Sequence, residues 1–275
     1  MPDLNTELNS EPEILPLAPH ATLLDPAAVA LEYLTPGGRR RVLRQPKVDL
    51  LRSDLSVSHG GGQVAVRAWG CGQPILLVHG WAGDQSDMFS YVPTLTASGF
   101  RVVTMDLPAH GESSGETASI EQLADGILAV AQHFDPLKAI VGHSVGSAAL
   151  AIAVSKGLAV ERAVLLAPPE SYENYARFFA AAKGLSPQQV EQMIQHLQAA
   201  GVRVNITTSE LASSFKLPGL IVHSSDDQIT SVENSQIIAD RWVNSTFLPV
   251  SDLGHRGLLR DQNVIAAVCD FISKG

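Results

Sequence analysis

Cysteine, basic charge and long apolar runs are all scarce in this 275-residue chain. The two cysteines, Cys71 and Cys269, belong to no Cys-x-x-Cys pair, which argues against a disulfide framework and against a structural zinc site. Lys and Arg number 19 against 28 Asp and Glu, a net charge of −9. The concentrated basic surface that a phosphate backbone needs is missing, so nucleic acid is not an expected partner. The one basic cluster, Arg39-Arg40-Arg41 with Arg44 and Lys47, lies in a Pro- and Gly-flanked stretch and reads as a solvated connector. No apolar run approaches the roughly 18–20 residues that span a bilayer. The opening Met-Pro-Asp-Leu-Asn-Thr-Glu lacks a basic start followed by an apolar stretch, so no secretory signal is expected either. These absences point to a reduced cytoplasm, with no stable membrane insertion and no metal.

What remains is apolar and globular. Hydrophobic residues make up 45% of the chain and charged residues 17%, with a mean hydropathy of +0.11. That suits one large α/β domain better than two small ones. Residues 1–50 read as an extension, loose and proline-containing up to about Pro26, with a short helix over Ala27–Leu34 stopped by Pro36-Gly37-Gly38. A hairpin is expected where Leu55–Ser58 and Val64–Trp69 flank His59 and three glycines. Buried strands are expected at Pro74–Val78, Arg101–Met105, Lys138–Val141, Arg162–Leu166, Leu220–Val222 and Thr246–Val250. Helix-like segments at Gln85–Ala97, Ser119–Phe134, Val145–Lys156, Ser231–Trp242 and Asp261–Ile272 alternate with them. This alternation predicts a mainly parallel sheet with helices on both faces. Residues 169–217 break the rhythm, with helical stretches near Tyr172–Ala182 and Pro187–Ala200. So long an insertion predicts a helical lid on a core formed by residues 51–168 and 218–275.

Four motifs fall at strand ends. Gly142-His143-Ser144-Val145-Gly146 follows one strand and opens a helix, a crowded turn that needs small residues on either side of the serine. It lifts the Ser144 hydroxyl above the sheet and aims the Val145 amide at developing negative charge. His79-Gly80-Trp81 ends an earlier strand, and the Trp81 N–H is the candidate second oxyanion donor. A serine needs a histidine to take its proton, and that histidine needs a carboxylate. His255, in Leu253-Gly254-His255-Arg256 after the last strand, supplies the base. The carboxylate comes from His223-Ser-Ser-Asp226-Asp227, where spacing alone leaves Asp226 and Asp227 both open. The resulting Ser, Asp, His chain order is that of the strand–turn–helix nucleophile fold. His79, His110, His143 and His223 read as structural, since no group of them has metal-ligand spacing.

On these residues, together with Asp106-Leu-Pro-Ala-His110-Gly111-Glu-Ser113, the chain resembles the α/β-hydrolases of the carboxylesterase and lipase-like group, and is also similar to C–C bond hydrolases. The resemblance covers about Leu55 to Ile272. It implies the α/β-hydrolase fold and a Ser144–Asp227–His255 triad, because the acid in that family stands four residues after the strand-end histidine. Two departures are visible: Ala109 stands where relatives have glycine, and Thr230-Ser231 where they have Val-Pro. The implied activity is hydrolysis of carboxylic esters of small to medium acyl chain through an acyl-enzyme, with no cofactor. C–C bond hydrolysis, thioester hydrolysis and a non-catalytic binding role on the same fold are the alternatives. Tyr172, Tyr175, Phe178, Phe179 and Met193 in the insertion are candidates to line a small-molecule substrate pocket. The sequence leaves a homodimer open.

Overall fold

The computed structural model describes residues 24–37 and 52–274. The basic cluster within residues 39–47 and nearly all of the expected loose tail lie outside the described residues. The first described element is helix α1 (Pro26–Leu34), started by Asp25, whose carboxylate accepts from the Ala27 amide at 3.0 Å, with Pro26 as its first residue.

Eight strands then form one sheet: β1 (Arg52–His59), β2 (Gly62–Trp69), β3 (Pro74–Val78), β4 (Arg101–Met105), β5 (Leu137–His143), β6 (Val160–Leu166), β7 (Gly219–Ser224) and β8 (Ser245–Val250). Their spatial order is β1-β2-β4-β3-β5-β6-β7-β8. β1 and β2 are the expected hairpin, turned by Gly60 and Gly61 at φ +53° and +82°, a backbone that side chains disfavour. β2 meets β4 antiparallel, and every later pairing is parallel. β3 and β5 lie side by side in the middle, with Ile75 opposite Ala139 and Val78 opposite Gly142. Central strands covered on both faces must be apolar throughout. Ile75, Leu76, Leu77 and Val78 are accordingly fully buried, each contributing about 1.5–3 kcal/mol relative to exposure.

The remaining helices are α2 (Val92–Ala97), α3 (Ile120–His133), α4 (Val145–Ser155), α5 (Tyr172–Ala182), α6 (Pro187–Ala199), α7 (Thr208–Ala212), α8 (Val232–Arg241), the single turn α9 (Gly254–Gly257) and α10 (Gln262–Ser273). One apolar layer joins α1, α3, α4 and α8 with α5 to α7, and the other holds α2 and α10. α3 and α6 begin with reciprocal capping boxes, Ser119 with Gln122 and Ser186 with Gln189.

Two elements differ from the sequence expectation. The helix expected over Gln85–Ala97 is a 3-10 segment (Gln85–Tyr91) followed by the short α2. Pro93 has no amide hydrogen to continue a helical ladder. Gln85 is also drawn inward: its amide donates to Asp106 Oδ1 at 2.7 Å, and its side chain bridges Asp106 and Thr104. The segment between β6 and β7 carries three helices rather than two. Ala109, where relatives have glycine, has φ +65°, so the left-handed backbone of that loop is kept despite the methyl group.

Candidate active site

The motif residues converge at the C-terminal ends of β3, β5, β7 and β8, the edge where open α/β sheets bind ligands. Ser144 stands between β5 and α4 with φ +53° and ψ −125°, a strained backbone for a residue with a side chain. Packing enforces it. A Cβ on Gly146 would lie 2.3 Å from the His79 carbonyl, and one on Gly142 would lie 2.8 Å from the Gly146 carbonyl. A Cβ on Gly80 would lie 2.9 Å from His143 Nδ1 and 3.2 Å from Ser144 Cβ. Three glycines thus let the β3 end, the serine turn and the α4 start close on one another. Val145 opens α4, whose first-turn amides lack helical partners. Among the described residues the Ser144 hydroxyl has no hydrogen-bond partner. It borders a cleft of about 230 Å³ lined by Trp81, Tyr175, Ile229, His255 and Arg256.

The two acid candidates part company here. Asp227 Oδ2 is 2.7 Å from His255 Nδ1. Its Oδ1 accepts from the Ile229 amide at 2.8 Å and the Thr230 amide at 3.1 Å. Thr230 Oγ1 donates to Oδ2 at 3.0 Å, and His223 Nε2 lies 3.2 Å from the same oxygen. Burial alone would push this carboxyl up. The bonds from His223, His255 and the two amides outweigh it and hold the group well below the usual carboxylate range. Asp226 instead accepts from Ser224 Oγ and, at 3.2 Å, from the Gly254 amide, which pins the loop just before His255.

A carboxylate only accepts, so the proton of the Asp227–His255 bond sits on Nδ1 and Nε2 is the free acceptor. Four other histidines, His79, His110, His143 and His223, act as props. His143 lies against His255, with ring centroids 4.8 Å apart, and its Nε2 donates to the His255 carbonyl at 3.0 Å. Burial, then the neighbouring His255, lowers His143 to about 3, so it is neutral. His79 Nε2 accepts from the Leu107 amide at 3.0 Å while its Nδ1 donates to the Gly80 carbonyl at 2.7 Å, tying the β3 and β4 ends together. His110 stacks edge-on to Trp81 at 5.0 Å, and burial followed by His79 lowers it to about 3. His223 is fully buried and bound to Ser235 Oγ at 2.6 Å.

The candidate pocket residues divide. Tyr175 lines the cleft, and Tyr172 lines a smaller cavity behind Trp81 and Val145. Phe179 packs its edge on Tyr33, with centroids 5.3 Å apart. Phe178 and Met193 line neither of these two spaces. α5 turns Tyr172, Ala176 and Ala180 inward, which leaves Phe178 on the outer face, 61% exposed. Met193 lies on the buried face of α6 with Val190, Ile194 and Leu197, inside the core rather than at the cleft.

Three site residues carried no signal as such in the sequence. Thr230 was visible only as a departure from Val. Arg256, which lines the cleft and donates to Asp87 Oδ1 at 2.6 Å, ends the histidine motif, where its sequence position assigns it no role. Tyr33 comes from a helix far from every motif. Among the described residues no group of three or more His, Cys, Asp or Glu side chains gathers as a metal site, and no helix is long and apolar enough to cross a membrane.

Comparison with known proteins agrees with this architecture. The chain is 33% identical over 153 residues to the dihydrolipoyllysine-residue acetyltransferase component of the acetoin cleaving system of Pseudomonas putida, an alignment covering 54% of this chain and 37% of that protein. A non-heme haloperoxidase of Rhodococcus erythropolis is 33% identical over 111 residues, 38% of this chain and 40% of that protein. The chain thus spans two fifths or less of the length of these curated relatives. The fold is shared with the Pyrococcus furiosus esterase Pf2001, at TM-score 0.70 and 17% identity over 86% of this chain and 97% of that one. The model of the alpha/beta hydrolase family matches residues 75–267, well over half of the sequence. With that match, the eight-stranded sheet and the serine turn between β5 and α4, the chain belongs to the alpha/beta hydrolase family.

Proposed function

We propose that the protein is a serine hydrolase that cleaves carboxylic esters of small to medium acyl chain through an acyl-enzyme. The observation that carries this reading is the 2.7 Å Asp227–His255 pair, whose histidine shares one cleft with a serine in a left-handed turn. Ser144 attacks the ester carbonyl while His255 Nε2 takes its proton, and Asp227 stabilises the imidazolium. The bond from Ser144 to His255 closes when substrate enters, since such bonds are often loose in the free enzyme. The amides of Trp81 and Val145 receive the developing oxyanion, each worth on the order of 10²–10³ in rate. The protonated His255 gives its proton to the leaving alcohol. It then draws a proton from the water that releases the acid and regenerates Ser144. The helices between β6 and β7 form the lid of this cleft, with Tyr175 as the side chain they contribute to it. The unpaired Cys71 and Cys269 suit a reducing cytoplasm.

Hydrolysis of p-nitrophenyl acetate and butyrate by wild type and Ser144→Ala, alongside labelling by a fluorophosphonate, tests the reading. We expect turnover and labelling of Ser144 in the wild type and neither in the variant. Absence of both from folded wild type would move the protein to a non-catalytic role. Labelling without ester turnover would point to thioester or C–C substrates.

A further inference from the structure

Helix α1 lies before the region matched by the family model, yet it reaches the site. Its Leu34 carbonyl accepts from the Ala118 amide at 2.9 Å, its Glu32 pairs with Lys183 after α5, and the Leu24 carbonyl accepts from Gln189 of α6 at 2.9 Å. These ties set one side chain, Tyr33, 4% exposed, among the rings of Trp81, Tyr172, Tyr175 and Phe179, with centroids 5.3 to 6.5 Å away.

Tyr33, Leu123 and Tyr172 wall a cavity whose other walls are Trp81, Val145 and Tyr175. Trp81 and Tyr175 also line the outer cleft that holds Ser144, so the two spaces share these two rings as walls. Its volume is about 10 Å³, room for about one water. On the ester-hydrolase reading, on which this inference rests, the two halves of the substrate have different fates. The alcohol must leave to solvent, which suits the open cleft with its charged Arg256. The acyl group stays on Ser144 until water arrives, beside Trp81 and Val145, and the apolar cavity lies directly behind those two residues. A chain longer than a few carbons meets the Tyr33 ring there.

We propose that Tyr33 is a specificity-determining residue, closing the inner end of the acyl pocket and holding the enzyme to short acyl groups. The test is kcat/KM for p-nitrophenyl acetate, butyrate, hexanoate and octanoate with wild type, Tyr33→Ala and Tyr33→Phe. Each methylene newly buried is worth on the order of fourfold. The octanoate-to-acetate ratio should therefore rise on the order of 10- to 100-fold in Tyr33→Ala, while Tyr33→Phe, which keeps the ring, keeps the wild-type chain-length order. An unchanged ratio in folded Tyr33→Ala overturns the proposal; should that variant not fold, Tyr33→Leu carries the same test. If wild type hydrolyses none of the four esters, the ester reading fails by itself, and calorimetric binding of octanoate decides the pocket. Affinity about tenfold tighter in the Tyr33 variant than in wild type supports the assignment, and equal affinity or no binding to either overturns it.

Discussion

Replacing Asp227 by asparagine should stop turnover by turning one imidazole around. The carboxylate has two sets of donors. Oδ1 faces the Ile229 and Thr230 amides, which are fixed in the backbone and can only donate. Oδ2 faces His255 Nδ1, Thr230 Oγ1 and His223 Nε2. An asparagine has one oxygen, and the two amides claim it. Its NH2 is then left 2.7 Å from His255 Nδ1, so that nitrogen must become an acceptor and the proton moves to Nε2. Nε2 is the atom that has to take the serine proton, and it no longer can. Loss of the correct tautomer at such a triad costs about 10⁴ in kcat, or about 5 kcal/mol of barrier. Asp226→Asn should stay within about threefold of wild type, because an amide oxygen still accepts from Ser224 and Gly254. The assay is kcat and KM on p-nitrophenyl acetate at constant pH, with circular dichroism on each variant. A folded Asp227→Asn within tenfold of wild type would refute the tautomer reasoning. An Asp226→Asn that loses more than Asp227→Asn would refute the assignment of the acid.

Two further outcomes follow from backbone and burial. Ser144→Gly should abolish hydrolysis yet raise the melting temperature by a few degrees, because glycine relieves the φ +53° strain at a site where it costs a side chain about 1 kcal/mol; a lowered melting temperature would show that the turn is unstrained. Acid should destabilise the protein well above the carboxylate range. His110 and His143 are lowered from 6.5 to about 3 by burial, so between those pH values the unfolded chain binds protons that the native state refuses. Stability therefore falls on acidification, by about 1.4 kcal/mol per pH unit for each histidine, or about 2 kcal/mol each at pH 5. Asp227, held below its ordinary value, adds to the loss only below about pH 4. Urea melts at pH 7.5 and 5 check this, and equal stability at the two would rule it out.

Most of the fold was legible because the signals that specify it are local. The apolar run of β3, the mostly apolar run of β4, the Ser119 and Ser186 caps and the Gly60-Gly61 turn each act within a few neighbouring residues. The strand–serine–helix turn was legible for the same reason, since the glycines that permit it flank the serine. The two acids were not separable by spacing, because Asp226 and Asp227 are adjacent and differ only in which way β7 turns them at its end. Residue type alone does not tell which aromatic residues of the insertion face inward: the helical period of α5 turns Tyr172 in and Phe178 out.

By itself, then, the sequence determined the α/β alternation, the order of the motifs and the residue types of the proposed catalytic set. Only the tertiary structure decided which carboxylate meets His255, that Thr230 and His223 share that carboxylate, and that Tyr33 stands behind Trp81 and Val145. These are contacts between segments as far apart as α1 and β7. Chain distance carries no information about them, because they are fixed by how the covered sheet brings its strand ends together and by how α1 packs on α5 and α6.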